Sequence, residues 1–375
     1  MAQPTSPLSV TRLLGLGLTP GKLRGLQRIS NPNGTLTMVA TDQNSSMISM
    51  MKESFTKRGQ EREPTFAEVV EAKIDLARAL GPHCSALLVD AYYGAWNIVA
   101  SFSLPRTTGL LVRVEKSGGP KNARGAPIGA IEPGWSVAKI KRMGADAVKL
   151  LAQFEPTEPD SAEKNLALIE QVYHECVKHD ILLLLETVSF PFKQGDKPED
   201  KKSASYLARK AATVIESARQ LSRYCDVYKA EFPGTFGHES DQQLVENLHR
   251  LDEASERPWV LLSAGVDFPE YKKQVEMAVR AGASGVLGGR AFWKEYFTFD
   301  KAEDRQRFAR QEAADRVKQV HAIVQEQAQP WFARYGLTLE QLSAMRAVEG
   351  WHVRYGGSLP ADDSARGPVS PGDVY

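Results

Sequence analysis

Lys229 lies in the run Asp226-Val-Tyr-Lys-Ala-Glu-Phe-Pro-Gly234, whose Val227, Tyr228, Ala230 and Phe232 suit a buried strand and whose Pro233-Gly234 ends it. A lysine is rare inside a core strand unless it is paired or used. Desolvation lowers its hold on its proton, and the free amine can then attack a carbonyl. The plain alternative is a lysine on an edge strand with its head in water. A second lysine, Lys149, stands inside Gly144-Ala-Asp-Ala-Val-Lys-Leu-Leu151, and Glu186 ends the apolar run from Ile181. Brought together, two ammonium groups disfavour each other's charge, so one becomes a neutral nucleophile able to form a Schiff base with a ketone. Glu186 between them can shuttle protons, or serve as a plain ion-pair partner.

Other strands also end in polar residues: Asp42, Asp90, Glu115, Ser263 and Arg290. Ser263-Ala-Gly265 and Gly288-Gly-Arg290 read as a phosphate site. Their glycines let backbone N–H groups approach an anion, and Arg290 offers a two-pronged donor. The seven histidines end no strand, so a three-histidine zinc site has no evident source, and no metal or cofactor is expected. His238, in the loop after the lysine strand, reads as a surface residue. The pairs Tyr92-Tyr93 and Phe292-Trp293 read as barrel packing rather than as a binding platform.

Eight apolar strands must position these groups, beginning near Thr37, Ser85, Gly109, Ala147, Ile181, Val227, Trp259 and Ser284, most of them separated by helical patterns. Short continuous apolar runs alternating with helices mean a parallel sheet covered on both faces. Eight units in roughly 250 residues fit a (β/α)8 TIM barrel, with its site at the C-terminal ends of the strands. A doubly wound open sheet is the runner-up, but the first strand runs into Asp42-Gln-Asn-Ser-Ser without the glycine turn that such sheets use for nucleotides. Thr65 with Glu68 has capping-box spacing for a helix over 65–80. The expected organisation is an N-terminal helical segment over 1–34, with 1–7 disordered, a barrel over 35–300, a C-terminal helical extension over 301–348 and a mobile tail over 349–375.

The chain has 375 residues, a net charge of +1, 25% charged and 42% hydrophobic residues. These values describe an ordinary globular chain and do not point to nucleic acid or a membrane surface as partner. Cys84, Cys176 and Cys225 are odd in number and lack C-x-x-C spacing, as reduced thiols in a cytoplasmic protein would. No signal peptide and no membrane span is expected. A homo-oligomer is allowed.

With these residues in place, the chain resembles the class I, Schiff-base aldolases of the tagatose-1,6-bisphosphate aldolase family, which also includes sulfofructose-1-phosphate aldolases. The resemblance is carried by Ala40-Thr-Asp-Gln43, Ser85-Ala-Leu-Leu-Val-Asp90, Glu115-Lys-Ser-Gly118, Gly144 to Leu151, Leu184-Leu-Glu186, Asp226 to Pro233, Pro258 to Val266 and Ala281 to Trp293. It implies Lys229 as the Schiff-base lysine, Glu186 as proton shuttle and Lys149 as the residue that tunes it. Asp42 would contact substrate hydroxyls, and Gln43, Ser263, Gly265, Gly289 and Arg290 would hold anionic groups. The implied reaction cleaves a ketose 1-phosphate to dihydroxyacetone phosphate and an aldehyde. Members commonly carry arginine after the Asp-Gln pair, whereas Asn44 here is neutral. The distal group of the substrate is therefore expected to be bound differently, to be a weaker anion, or to be absent. A sulfosugar phosphate, another ketose 1-phosphate, or a non-catalytic sugar-phosphate sensor are the alternatives.

Overall fold

A computed structural model describes residues 8–193 and 199–355. The expected disorder of 1–7 lies outside the described residues, as does the expected mobile tail from 356 on. Eight parallel strands close into a barrel in chain order: β1 Leu36–Ala40, β2 Ala86–Val89, β3 Gly109–Arg113, β4 Ala147–Gln153, β5 Leu182–Val188, β6 Val227–Ala230, β7 Trp259–Leu262 and β8 Gly285–Gly288. Closure pairs Leu36 with Gly285, and a side chain at 285 could not be tolerated there: a Cβ would fall 1.9 Å from the Leu36 carbonyl oxygen. The open-sheet alternative is excluded by this β1–β8 pairing.

Side chains alternate between the two faces of each strand. Leu36, Met38, Ala40, Leu111, Ala147, Leu182, Leu184, Val227 and Val260 pack together inside the barrel. Following the same alternation upward gives Asp42 after Ala40, Arg113 and Glu115 after Leu111, Lys149 after Ala147, Glu186 after Leu184, and Lys229 and Glu231 after Val227. The interior is thus apolar in its lower layers and charged in its top layer. The other face, with Val39, Leu87, Val112, Val148, Leu183 and Tyr228, packs against the surrounding helices.

The helix Phe66–Leu80 starts from the capping box expected of Thr65 and Glu68. The helix Ser45–Lys57 was not expected. Its apolar stripe is thin, with Met47, Met51 and Phe55 buried one per turn, so its periodicity is weak in the sequence. At the N-terminal face of the barrel, the helices Val10–Gly15 and Pro20–Ile29 meet Trp331 and Phe332 of the C-terminal extension and seal the interior. Within the tail expected to be mobile, 351–354 form a helical turn, and the Tyr355 hydroxyl donates to Asp180. Phe292 and Trp293 are buried as barrel packing. Tyr92 corrects that reading for the other pair: it is exposed, because the turn after β2 swings its ring off the barrel.

Candidate active site

The top layer of the barrel opens into a cavity of about 320 Å³. Cavities of about 330 Å³ occur elsewhere, one of them among Leu13, Trp331 and Phe332 at the opposite face, but that lining brings no group able to do chemistry. The mouth cavity does. Asp42, Gln43, Lys149, Glu186, Lys229, Ser263, Gly265, Gly289 and Arg290, the nine residues expected to act on or hold a substrate, line it, and so does the strand-end Glu115. Asp90 does not; His238 is exposed and lies outside it.

Glu186 and Lys229 are directly paired in the β5–β6 register. Glu186 Oε2 lies 3.0 Å from Lys229 Nζ and 3.1 Å from Lys149 Nζ, so one carboxylate oxygen serves both amines. Lys149 also reaches Glu115 Oε1 at 2.6 Å and Asp42 Oδ2 at 3.0 Å. All these side chains are buried. The two lysines therefore differ in kind. Burial works against the charge of both. Three carboxylates around Lys149 outweigh that cost and raise its pKa. For Lys229 burial wins: its single close partner, Glu186, does not offset burial and the neighbouring Lys149 charge, and the pKa falls. Burial would raise Glu186, but Lys149 and Lys229 outweigh it and hold it below the usual range. Asp42 is likewise held low against its burial, by Lys149, Lys229 and Arg113. Glu115 is raised, since its burial prevails. The outcome is an ionised carboxylate beside an amine biased to lose its proton.

Asp42 Oδ1 and Glu115 Oε2 are buried without a hydrogen-bond partner among the described residues. On a cavity wall, such oxygens are ready acceptors for hydroxyl groups. Across the mouth, the Gly289 N–H donates to Ser263 Oγ at 3.2 Å, and Arg290 donates to the Ala264 carbonyl at 3.4 Å. Ala264 has φ +47°, a left-handed conformation that costs a non-glycine residue strain. A Cβ on Gly289 would lie 3.0 Å from Gln43 Nε2, so glycine lets this backbone approach the β1 loop closely. The group forms a rim of small residues and one guanidinium suited to an anion.

Several cavity residues were not singled out. Arg113 donates to the Asp42 carbonyl at 2.8 Å and fixes that turn; its signal was the same as that of Lys229, a charge inside an apolar strand. Glu231 accepts from Ser189 N and Oγ, each at 2.6 Å. Lys73 sits behind the wall. Its ammonium reaches the Thr41 carbonyl at 2.6 Å, the Gln43 carbonyl at 3.2 Å and Asp90 Oδ1 at 2.7 Å, so it holds the backbone on both sides of Asp42. Its signal was a lysine on the apolar stripe of its helix, between Val69 and Leu76. Among the described residues no group of three His, Cys, Asp or Glu side chains is arranged to hold a metal ion.

Known aldolases are similar to this chain in sequence and in fold. Residues 36–295 match the model of the DeoC/LacD family aldolases. The tagatose 1,6-diphosphate aldolase of Streptococcus agalactiae serotype V is 30% identical over 339 residues, 85% of this chain and 100% of that protein. The enzyme of that name from Listeria monocytogenes serotype 4a is 31% identical over 338 residues, covering 85% of this chain and 96% of its own. Among solved structures, the fructose-bisphosphate aldolase of Plasmodium falciparum shares the fold, with a TM-score of 0.60 at 13% identity over 88% of this chain and 99% of that one.

Proposed function

The chain belongs to the DeoC/LacD family of aldolases and is a carbon–carbon lyase, and from that premise we propose that it cleaves a phosphorylated ketose through a Schiff base on Lys229. The observation that carries this reading is the single Glu186 oxygen shared between Lys149, which is held charged, and Lys229, which is biased toward the free amine. Neutral Lys229 attacks the C2 ketone, forming the C–N bond as the carbonyl oxygen takes a proton. Loss of that oxygen as water leaves an iminium. The C4 hydroxyl then loses its proton, the C3–C4 bond breaks, and its electron pair moves into the iminium to give an enamine. The aldehyde leaves. Protonation at C3 and hydrolysis of the C–N bond release dihydroxyacetone phosphate and restore Lys229. Glu186, 3.0 Å from the amine, carries the protons of these steps.

The relatives' names support a bisphosphate such as tagatose 1,6-bisphosphate as substrate. The 1-phosphate would sit against Ser263, Gly265, Gly289 and Arg290. Asn44 gives nothing to the distal end: its side-chain amide donates to Asp90 at 3.2 Å, and it does not line the cavity. Lys116 and Lys201 do line it, and neither makes an ion pair among the described residues. They are the cations free to meet a distal phosphate or sulfonate. A cytoplasmic setting goes with a sugar-phosphate substrate and three free cysteines, and no described helix is long and apolar enough to cross a membrane.

The test is to trap the chain with dihydroxyacetone phosphate and borohydride and map the adduct by peptide mass. The expected result is one reduced adduct on Lys229, absent from Lys229→Ala, with cleavage lost in the same variant. A folded protein that forms no adduct, or cleavage that survives Lys229→Ala, would overturn the assignment.

A further inference from the structure

Glu231 lines the cavity two residues beyond Lys229, and the reaction sequence above gives it no task. It is 3% exposed, yet among the described residues it makes no ion pair. A buried carboxylate is costly unless a cation faces it or its oxygens are hydrogen-bonded. Every other buried carboxylate among the described residues has one remedy or the other. Asp42, Asp90, Glu115, Glu155, Glu158, Glu186 and Asp226 pair with lysine or arginine. Asp75 and Asp180 have both oxygens hydrogen-bonded. In Glu231 only Oε2 is satisfied: it accepts from the Ser189 N–H and hydroxyl, each at 2.6 Å, and Oε1 makes no hydrogen bond among the described residues. That anchor is itself held. An ionised carboxylate only accepts, so the Ser189 hydroxyl donates to it and accepts from the buried Tyr206 hydroxyl at 2.8 Å. Ser189 directly follows β5, so Glu231 is drawn toward β5 and away from β7 and β8, whose loops form the anion rim.

We propose that Glu231 is a specificity residue for the aldehyde half of the substrate, its Oε1 accepting a hydrogen bond from the hydroxyl on C5 of the ketose. This rests on the Lys229 Schiff base proposed above. The aldehyde leaves while the rest of the sugar stays on Lys229, so its half lies between Lys229 and the mouth. Glu231 stands on that side, about 6.6 Å further along the strand direction. A carboxylate repels phosphate and sulfonate, so neither charged end of the substrate is its partner. The C4 hydroxyl has its own acceptor, because Glu186 takes its proton. Asp42, Glu115 and Glu186 all pair with Lys149 and gather around it, and Glu231 stands apart from that group. The C5 hydroxyl is the one left, and a charged acceptor holds it more strongly than a neutral one would. The contact does not depend on whether the distal group is a phosphate or a sulfonate.

Aldol synthesis from dihydroxyacetone phosphate and two aldehydes tests this. Glyceraldehyde 3-phosphate carries the hydroxyl that becomes the one on C5; 3-oxopropyl phosphate lacks it. Glu231→Met should lose kcat/KM with the first aldehyde roughly 10–100-fold more than with the second, the worth of a hydrogen bond to a charged group. Glu231→Gln keeps an oxygen for Ser189 and turns a neutral amide to the cavity, so the end of β5 stays anchored; its preference should fall in the same direction by a smaller factor. Dihydroxyacetone phosphate with borohydride should still label Lys229 in both variants, since the donor half does not touch Glu231. A preference that does not move would overturn the proposal. So would equal losses with the two aldehydes, which would reduce Glu231 to an anchor for the end of β5. A wild type that takes no adduct on Lys229 overturns the Schiff-base reading itself, and this inference with it.

Discussion

Two lysines of one chemical type are driven in opposite directions by what surrounds them. Lys149 has three carboxylate neighbours and Lys229 has one, which Lys149 shares. Replacing Lys149 with methionine removes a like charge from beside Lys229, a change that by itself raises the pKa of Lys229. It also leaves Glu186, which Lys149 no longer shares, to Lys229, and this raises it again. Both effects have the same sign. In the wild type the free amine appears once pH passes the lowered pKa of Lys229, so adduct formation rises with pH through a limb set below the ordinary lysine value. In Lys149→Met that limb moves to higher pH, and trapping near neutrality falls. A pH series of borohydride trapping checks this, and an unmoved limb would show that Lys149 does not tune Lys229. These residues were legible because a charge inside an apolar run has few explanations. Arg113 carried the same signal, and Glu231 lies two residues beyond Lys229 on the same face. That Glu186 lies between the lysines was legible as well, because β5 stands between β4 and β6; that one carboxylate oxygen serves both amines was not, since it depends on side-chain geometry at the top of three neighbouring strands.

At the level of elements, the strands could be placed within a residue or two because parallel strands buried on both faces read as unbroken apolar runs. Helices with a thin apolar stripe, such as Ser45–Lys57, could not, and the turn that throws Tyr92 outward has no counterpart in residue type. The joint that matters most for function, between the helix Phe66–Leu80 and the loop after β1, was also invisible. Only the folded barrel shows that Lys73 reaches across to the Thr41 and Gln43 carbonyls. Lys73→Met would strip Asp90 of its buried cation and those carbonyls of their donor. Breaking a buried pair from one side costs about 3–5 kcal/mol. The expected variant has a lower melting temperature and a kcat reduced more than its KM is raised, since the Asp42 turn loosens while the rim at Ser263 and Gly289 is untouched. Lys73→Arg should recover part of both. A Lys73→Met enzyme with wild-type kcat would remove the positioning role.

For the molecule as a whole, the two ends of the barrel have separate duties. The charged layer and the cavity lie at the C-terminal face, while the N-terminal face is closed by side chains brought from both ends of the chain. Leu13, Leu26 and Ile29 come from before β1, and Trp331, Phe332 and Leu337 come from beyond β8. Trp331 also donates its N–H to the Gly34 carbonyl at 2.9 Å, which ties the C-terminal extension to the turn that starts the barrel. The extension is therefore part of the barrel's core, a role that its charged helical sequence did not disclose. Truncating a buried tryptophan costs about 3–5 kcal/mol. For Trp331→Ala that corresponds to a fall in melting temperature of roughly 5–10 °C. Because conserving the top layer requires only that the strands keep their register, the variant should retain wild-type kcat and KM when assayed well below its melting point. Thermal denaturation and steady-state cleavage on the same preparation separate the two duties. A Trp331→Ala protein that is stable but catalytically impaired would mean that the bottom seal reaches through the apolar layers to Lys149 and Lys229, and that the barrel interior does not insulate one face from the other.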